Sequence, residues 1–148
     1  ILNMDYGSDR QALKKETPPV FRNMQFENIT GDGAPTAILL QGMAESPIEN
    51  IRFVNMTIIS TKGVVANFVK GLVFDNVQVT PAKGVVFELN DAADITIRKS
   101  KSPPDAEMFL KLGGKTSRGV TLEGCDLNGA KQTFVTSADV MAKEITIK

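Results

Sequence analysis

Few side chains in this 148-residue chain could do chemistry. Asp91 and Asp94, in NDAADIT, form the densest pair of carboxyl groups, and Glu88 and Glu107 stand on flanking segments. Two carboxyls held at a fixed separation can share general acid and general base work. Arg98, Lys99 and Lys101 make a short basic cluster that could meet an anionic substrate, and Cys125, in GCDL, is the single thiol. Each also has a plainer reading. Aspartates at turns commonly cap or face solvent, and surface cations are commonly just solvated. A cysteine without a histidine or cationic cluster beside it packs as a small apolar residue. GDGAP at residues 31–35 and LGGK at 112–115 lack the spacing and the strand-to-helix setting of a phosphate loop, and read as turns. No cofactor motif and no metal-ligating cluster is visible.

The composition removes whole reaction classes. There is no histidine, so a Ser-His-Asp or Cys-His hydrolase, an H-E-x-x-H metalloprotease and a His-ligated metal cannot be built within the chain. Seventeen Lys and Arg balance seventeen Asp and Glu, which gives no bulk attraction toward nucleic acid or an acidic membrane surface. One cysteine forms no intrachain disulfide. Apolar runs reach only about four residues against the ~20 that span a bilayer. With 42% apolar residues the chain can bury a core as one domain.

The elements that must position these side chains are read from a repeat. RNMQF at residues 22–26 and ENIRF at 49–53 share the form x-N-apolar-x-F, and KGLVF, ADITI, RGVTL and KEITI are relaxed copies. Their central apolar residues are Met24, Ile51, Leu72, Ile95, Val120 and Ile145, with Phe26, Phe53, Phe74, Ile97, Leu122 and Ile147 two positions on. The period of two is a strand signal, and it turns Gln25, Arg52, Val73, Thr96, Thr121 and Thr146 to the other face. A second apolar segment follows fourteen residues after each of the first five copies, at Ile38, Val65, Val86, Phe109 and Phe134. A constant half-turn joined to an elastic one is how a solenoid coil behaves.

Asn28, Asn55 and Asn76 recur four residues past the central apolar position. Asparagine tolerates the left-handed backbone of a tight corner, and stacked amides can hydrogen-bond from coil to coil. Lys99 and Gly124 take the place in the next copies, so the expected ladder has three rungs. This register outweighs the reading of Asn28 and Asn55 as glycosylation sequons. The chain is therefore expected to be all-β, a single-stranded parallel β-helix of about five to six coils, each of 21–27 residues. Six first strands at ~4.8 Å would span roughly 24 Å. One domain covers residues 1–148: a partial coil and loop over 1–16, then repeat coils over 17–148, with a second long loop expected where KSPPD interrupts the fourth coil.

Residues 3–31, NMDYGSDRQALKKETPPVFRNMQFENITG, resemble the later coils of the family 28 glycoside hydrolases, the polygalacturonases and their relatives. There a D-Y strand end is followed by a loop, a T-P segment and an F-R-N-I-x-F-x-N-I-T-G coil. The resemblance runs on through AESPIENIRFVNMTI to about Val79, after which only the coil rhythm persists. It implies a right-handed, pectin lyase-like β-helix, an inverting pectin-directed hydrolase ancestry and a secreted or periplasmic location. The family's catalytic signatures N-T-D, D-D, G-H-G and R-I-K are absent, and Ile97-Arg98-Lys99 scrambles the last. Because those signatures precede the matching coil, the chain looks like the carboxy-terminal third of such an enzyme, and no catalytic residue carries over. Tyr6 matches the family's cleft tyrosine, which implies stacking on a sugar ring. On sequence position alone, Tyr6 is equally a packed or exposed residue at a strand end.

Inverting glycoside hydrolysis needs two carboxyls roughly 6.5–9.5 Å apart. Parity in VVFEL and MFLKL turns Val85, Phe87, Leu89, Met108, Leu110 and Leu112 inward and Glu88 and Lys111 outward. Glu107 is then displaced along the coil by roughly 13 Å at ~3.3 Å per residue, so that strand offers no acid pair. Whether the chain is an enzyme is left open, and three readings stand. The first is a non-catalytic terminal portion of a polygalacturonase-like hydrolase, meeting pectic polysaccharide through the full-length enzyme. The absence of an initiator Met and of a signal segment favours it. The others are a stand-alone module binding acidic polysaccharide, and a structural or assembly β-helix. No nucleic acid or membrane partner is expected. A coil end cut across its strands exposes edges and core, so the first coil is expected to be covered by residues 1–16 or by a second copy.

Overall fold

The structure, a computed structural model, describes residues 1–3 and 18–148. Among the described residues the strands are β1 (Leu2–Asn3), β2 (Arg22–Gln41), β3 (Ile48–Lys70), β4 (Val73–Pro81), β5 (Val85–Arg98), β6 (Ala106–Gly113), β7 (Arg118–Glu123), β8 (Ala130–Thr136) and β9 (Ile145–Ile147), with a 3-10 turn at Ala142–Glu144. All ladders between strands are parallel, and they join into one sheet wound as a β-solenoid of about five turns. The parallel β-helix read from the repeat is the fold.

The first face has the expected register. Phe26, Phe53, Phe74, Ile97, Leu122 and Ile147 oppose one another from coil to coil. Their inward column is the spine of the core: Phe26 stacks on Phe53 and Phe53 on Phe74 at 5.4 and 5.1 Å between ring centroids, within 11° of parallel. Phe87 closes on Phe74 edge-to-face at 5.3 Å. Burying each such ring stabilises the fold by about 1.5–3 kcal/mol.

Strands as long as β2 and β3 persist because the coil turns through single left-handed residues rather than loops. Asn28, Asn55, Asn76, Lys99 and Gly124 all have φ between 52° and 57°. Of the expected three-rung amide ladder one link forms, Asn76 Nδ2 donating to Asn55 Oδ1 at 2.9 Å, while Asn28 keeps the corner without an amide bond to Asn55. The backbone corner outlasts it: Lys99 and Gly124 keep the conformation without the amide. A second corner precedes the first face, at Asn23, Asn50, Gly71, Asp94 and Gly119, again with positive φ throughout. Here Asn50 Nδ2 donates to Asn23 Oδ1 at 3.4 Å. Glycine suits the next rung, where φ is 66° and a Cβ on Gly71 would lie 2.5 Å from Asn50 Oδ1 and displace that amide.

On the third face the register differs from the expected one by a residue in three coils. Ile38, Val64, Phe87, Leu110 and Phe134 are the stacked residues, in place of Val65, Val86 and Phe109 in the middle. The half-turn is not constant in length: a bulge between Gly31 and Ala34 puts an extra residue into the first coil. Adjacent apolar residues such as Val64 and Val65 left parity undetermined from sequence. Val86 and Phe109 are still fully buried. Phe87, Leu89, Leu110 and Leu112 point inward as expected, whereas Val85 and Met108 are only half-buried. This face has its own amide ladder, which the sequence reading missed. Asn90 Nδ2 donates to Asn67 Oδ1 at 3.1 Å, and Asn67 Nδ2 donates to Gln41 Oε1.

Two terminal expectations divide. Leu2 and Asn3 form the partial coil, pairing with Leu40 and Gln41; the loop expected after them lies outside the described residues. KSPPD is not a protruding loop. Lys101 bridges to Asp126, and Ser100 and Ser102 turn inward, one coil below the places of Val77 and Val79. Both serines are buried, and their hydroxyl oxygens have no hydrogen-bond partner.

Two stability changes follow, both read by urea unfolding. Asn76→Ala lowers stability by about 2 kcal/mol, through the left-handed Cβ penalty and the lost amide bond, and Asn76→Gly by about half as much. Ser100→Ala raises stability by about 1 kcal/mol, because it removes a buried hydroxyl that has no partner.

Candidate functional site

The first face carries two outward columns. One is Gln25, Arg52, Val73, Thr96, Thr121 and Thr146; beside it run Glu27, Val54, Asp75, Arg98 and Glu123. Parallel pairing in register places like positions ~4.8 Å apart, so each charge sees its neighbours one coil above and below. Arg98 Nη2 donates to Asp75 Oδ2 at 2.6 Å, and Gln25 Nε2 to Glu27 Oε2 at 2.8 Å. On the third face the outward column Leu39, Val65, Glu88, Lys111 and Val135 brings Lys111 Nζ within 2.8 Å of Glu88 Oε1.

The first-face column is the feature that sequence reasoning did not assemble. Asp75 and Glu123 stand in one column two coils apart, about 9.6 Å at ~4.8 Å per coil, at the outer margin of the inverting-hydrolase window. The repeat register, extended from the apolar residues to their outward neighbours, was the signal that could have found them. Two facts weigh against their use as an acid and a base. Arg98 fills the position between them, where water and a glycosidic oxygen would have to enter. Its hydrogen bond to Asp75 also holds that carboxyl below its ordinary value, against a smaller opposing effect of burial, whereas a catalytic acid needs the reverse.

The residues singled out by sequence are placed as follows. Asp91 Oδ1 accepts from Thr116 N at 3.2 Å and Thr116 Oγ1 at 3.0 Å, the capping role expected of an aspartate at a turn. Asp94 occupies the left-handed corner before the first face, over Gly119. Glu88 is tied to Lys111. The basic cluster is divided: Arg98 pairs with Asp75, Lys99 is a corner residue, and the Lys101 backbone N–H donates to Gln78 Oε1 at 2.9 Å. Cys125 is half-buried, its Sγ 3.4 Å from Ile97 O, and burial pushes its thiol pKa up, away from a nucleophile. Glycines of both GDGAP and LGGK sit at bends of the coil. Tyr6 lies outside the described residues.

Among the described residues, no group of three Cys, Asp or Glu side chains could hold a metal ion, and no helix is long and apolar enough to cross a membrane. The chain finds no match among protein-family models, curated proteins or solved structures.

The Asp75–Arg98 pair carries a pH signature. The folded-state carboxyl titrates below the ordinary value of a free aspartate, so its stabilisation is fully present above that ordinary value and is lost as pH falls through the depressed folded value. Urea midpoints of the wild type and Asp75→Asn are expected to differ at pH 6 and to draw together as pH falls through the depressed folded value.

Proposed function

We propose that the chain is a non-catalytic β-solenoid section of a polygalacturonase-like glycoside hydrolase acting on pectic polysaccharide. The observation that carries this reading is the way the FRNMQFENITG coil and its successors stack in register while several of their carboxylates are spent on structure. Asp75 and Glu88 are ion-paired, and Asp91 caps Thr116. Asp126 Oδ1 accepts from the Asn128 backbone and side chain. Hydrolysis needs one carboxyl kept protonated and another free to activate water, with a gap between them for the bond being cut. The outward faces offer instead a regular, charge-balanced surface on a stiff support. Tyr6 is the residue that the family resemblance would bring to the sugar.

The test is a reducing-end assay of the purified chain on polygalacturonate. No release above the buffer rate is expected, with or without added divalent cations. Sustained release by the wild type that disappears in Asp75→Asn or Glu123→Gln would overturn the reading and make the first-face column an active site.

A further inference from the structure

Among the described residues, ten other than glycine have positive φ, and Asn and Asp fill eight of those places. The other two are the corner residue Lys99 and Phe68. Phe68, at φ 50°, is the one apolar side chain in the set, and bulky residues rarely adopt that conformation. Packing does not account for it. Phe26, Phe53, Phe74, Phe87 and Phe109 form one line of ring contacts through the core. Phe68 is half-buried, belongs neither to that line nor to the half-buried side chains packed on the core, and has no ring neighbour among the described residues. A strained residue that no internal contact explains is a pointer to function.

Its surroundings suit one kind of ligand. Val69 is buried, and Phe68 and Lys70 flank this inward residue on the outer side of the turn from the third face to the first. Lys70 is exposed and enters no ion pair among the described residues. The pairing of Asn67 with Gln41 and Asn90 sets Gly42 one coil above Phe68 and Asp91 one coil below. Gly42 contributes no side chain over the ring, and Asp91 is drawn toward Thr116 in the next coil. Beside the ring runs the amide ladder. Its links use Asn67 Nδ2 and Asn90 Nδ2 as donors, which leaves Gln41 Nε2 a free donor at one end and Asn90 Oδ1 a free acceptor at the other. Neither atom is sealed from solvent. An aromatic face bordered by amides matches a pyranose, whose C–H face is apolar and whose rim carries hydroxyls. The cation of Lys70 adds a partner for a carboxylate.

We propose that Phe68 is the stacking platform of a surface sugar subsite, in which the Gln41, Asn67 and Asn90 amides meet ring hydroxyls and Lys70 meets the carboxylate of a uronic acid unit. The identity of the sugar rests on the pectic reading above, whereas the platform does not. The left-handed backbone holds the ring away from the core, so stability is given up for an outward aromatic face.

Affinity electrophoresis of the purified chain through graded polygalacturonate, galactan and polyglutamate reads the subsite. Polygalacturonate is expected to retard the chain and polyglutamate, a polyanion without sugar, is not. Phe68→Asn should weaken retardation about tenfold, and Phe68→Tyr should keep it. Galactan lacks the carboxylate and should bind about three- to fivefold more weakly, a difference that Lys70→Gln removes. Phe68→Asn should also raise the urea midpoint, because asparagine accepts the left-handed backbone; a ring that served packing alone would lower it. A lowered midpoint, binding indifferent to Phe68→Asn, or equal retardation by polyglutamate overturns the proposal and leaves the pectic reading standing. No retardation in any gel overturns it too. Retardation by galactan alone, still dependent on Phe68, overturns the uronate assignment together with the pectic reading.

Discussion

Asn28, Asn55, Asn76, Lys99 and Gly124 turn the backbone from the first face to the second with nearly identical φ, and the rest of the coil is aligned by that turn. A left-handed residue costs about 1–2 kcal/mol for most L-amino acids, and less for asparagine and glycine. The corner column is accordingly filled by those two, except at Lys99. One residue per corner gives the solenoid no slack. A coil that lost or gained a residue there would flip the following strand and send its apolar set to solvent. The bulge at Gly31–Ala34 lies away from these corners, where an extra residue displaces only part of the third face.

Once the corners fix the register, side-chain stacking becomes a matter of identity along a column. Like apolar residues reinforce one another inward, as in the Phe26, Phe53 and Phe74 stack. Like amides do so at the edges, where Gln41, Asn67 and Asn90 run in line. That ladder ends at Gly113, which carries no amide to continue it and leaves Asn90 Oδ1 the space that a Cβ would take. Charges obey the opposite rule. Like signs ~4.8 Å apart repel, so unlike neighbours such as Asp75 and Arg98, or Glu88 and Lys111, are the stable arrangement.

This division explains what was legible beforehand. The first-face register, from Met24 and Phe26 to Ile145 and Ile147, was readable because each copy alternates cleanly between apolar and variable residues. The third face was not, because VV and MF place two apolar residues side by side and parity then has two solutions. The asparagine corner was readable from its spacing, but the second corner was hidden. Asn23, Asn50, Gly71, Asp94 and Gly119 share a backbone conformation rather than a residue type. KSPPD suggested a loop through its prolines, yet Pro103 and Pro104 follow the inward serines and the chain stays on the coil path. At the candidate site, the roles of Asp91 and Cys125 followed from local context. The Asp75, Arg98 and Glu123 column required the three-dimensional register.

The same register constrains any chemistry on this surface. A catalytic acid must be kept protonated near neutral pH, which on a β-solenoid face calls for apolar neighbours above, below and beside it. Asp75 has Val54 above it, which would serve, but Arg98 below it makes a charge-assisted hydrogen bond and decides the matter in favour of the ionised form. Electrostatic pairing that steadies the ladder and pKa elevation that serves catalysis are thus competing uses of one neighbouring position. In this chain the guanidinium of Arg98 occupies that position, so the column supports the stack of coils at the expense of the acid.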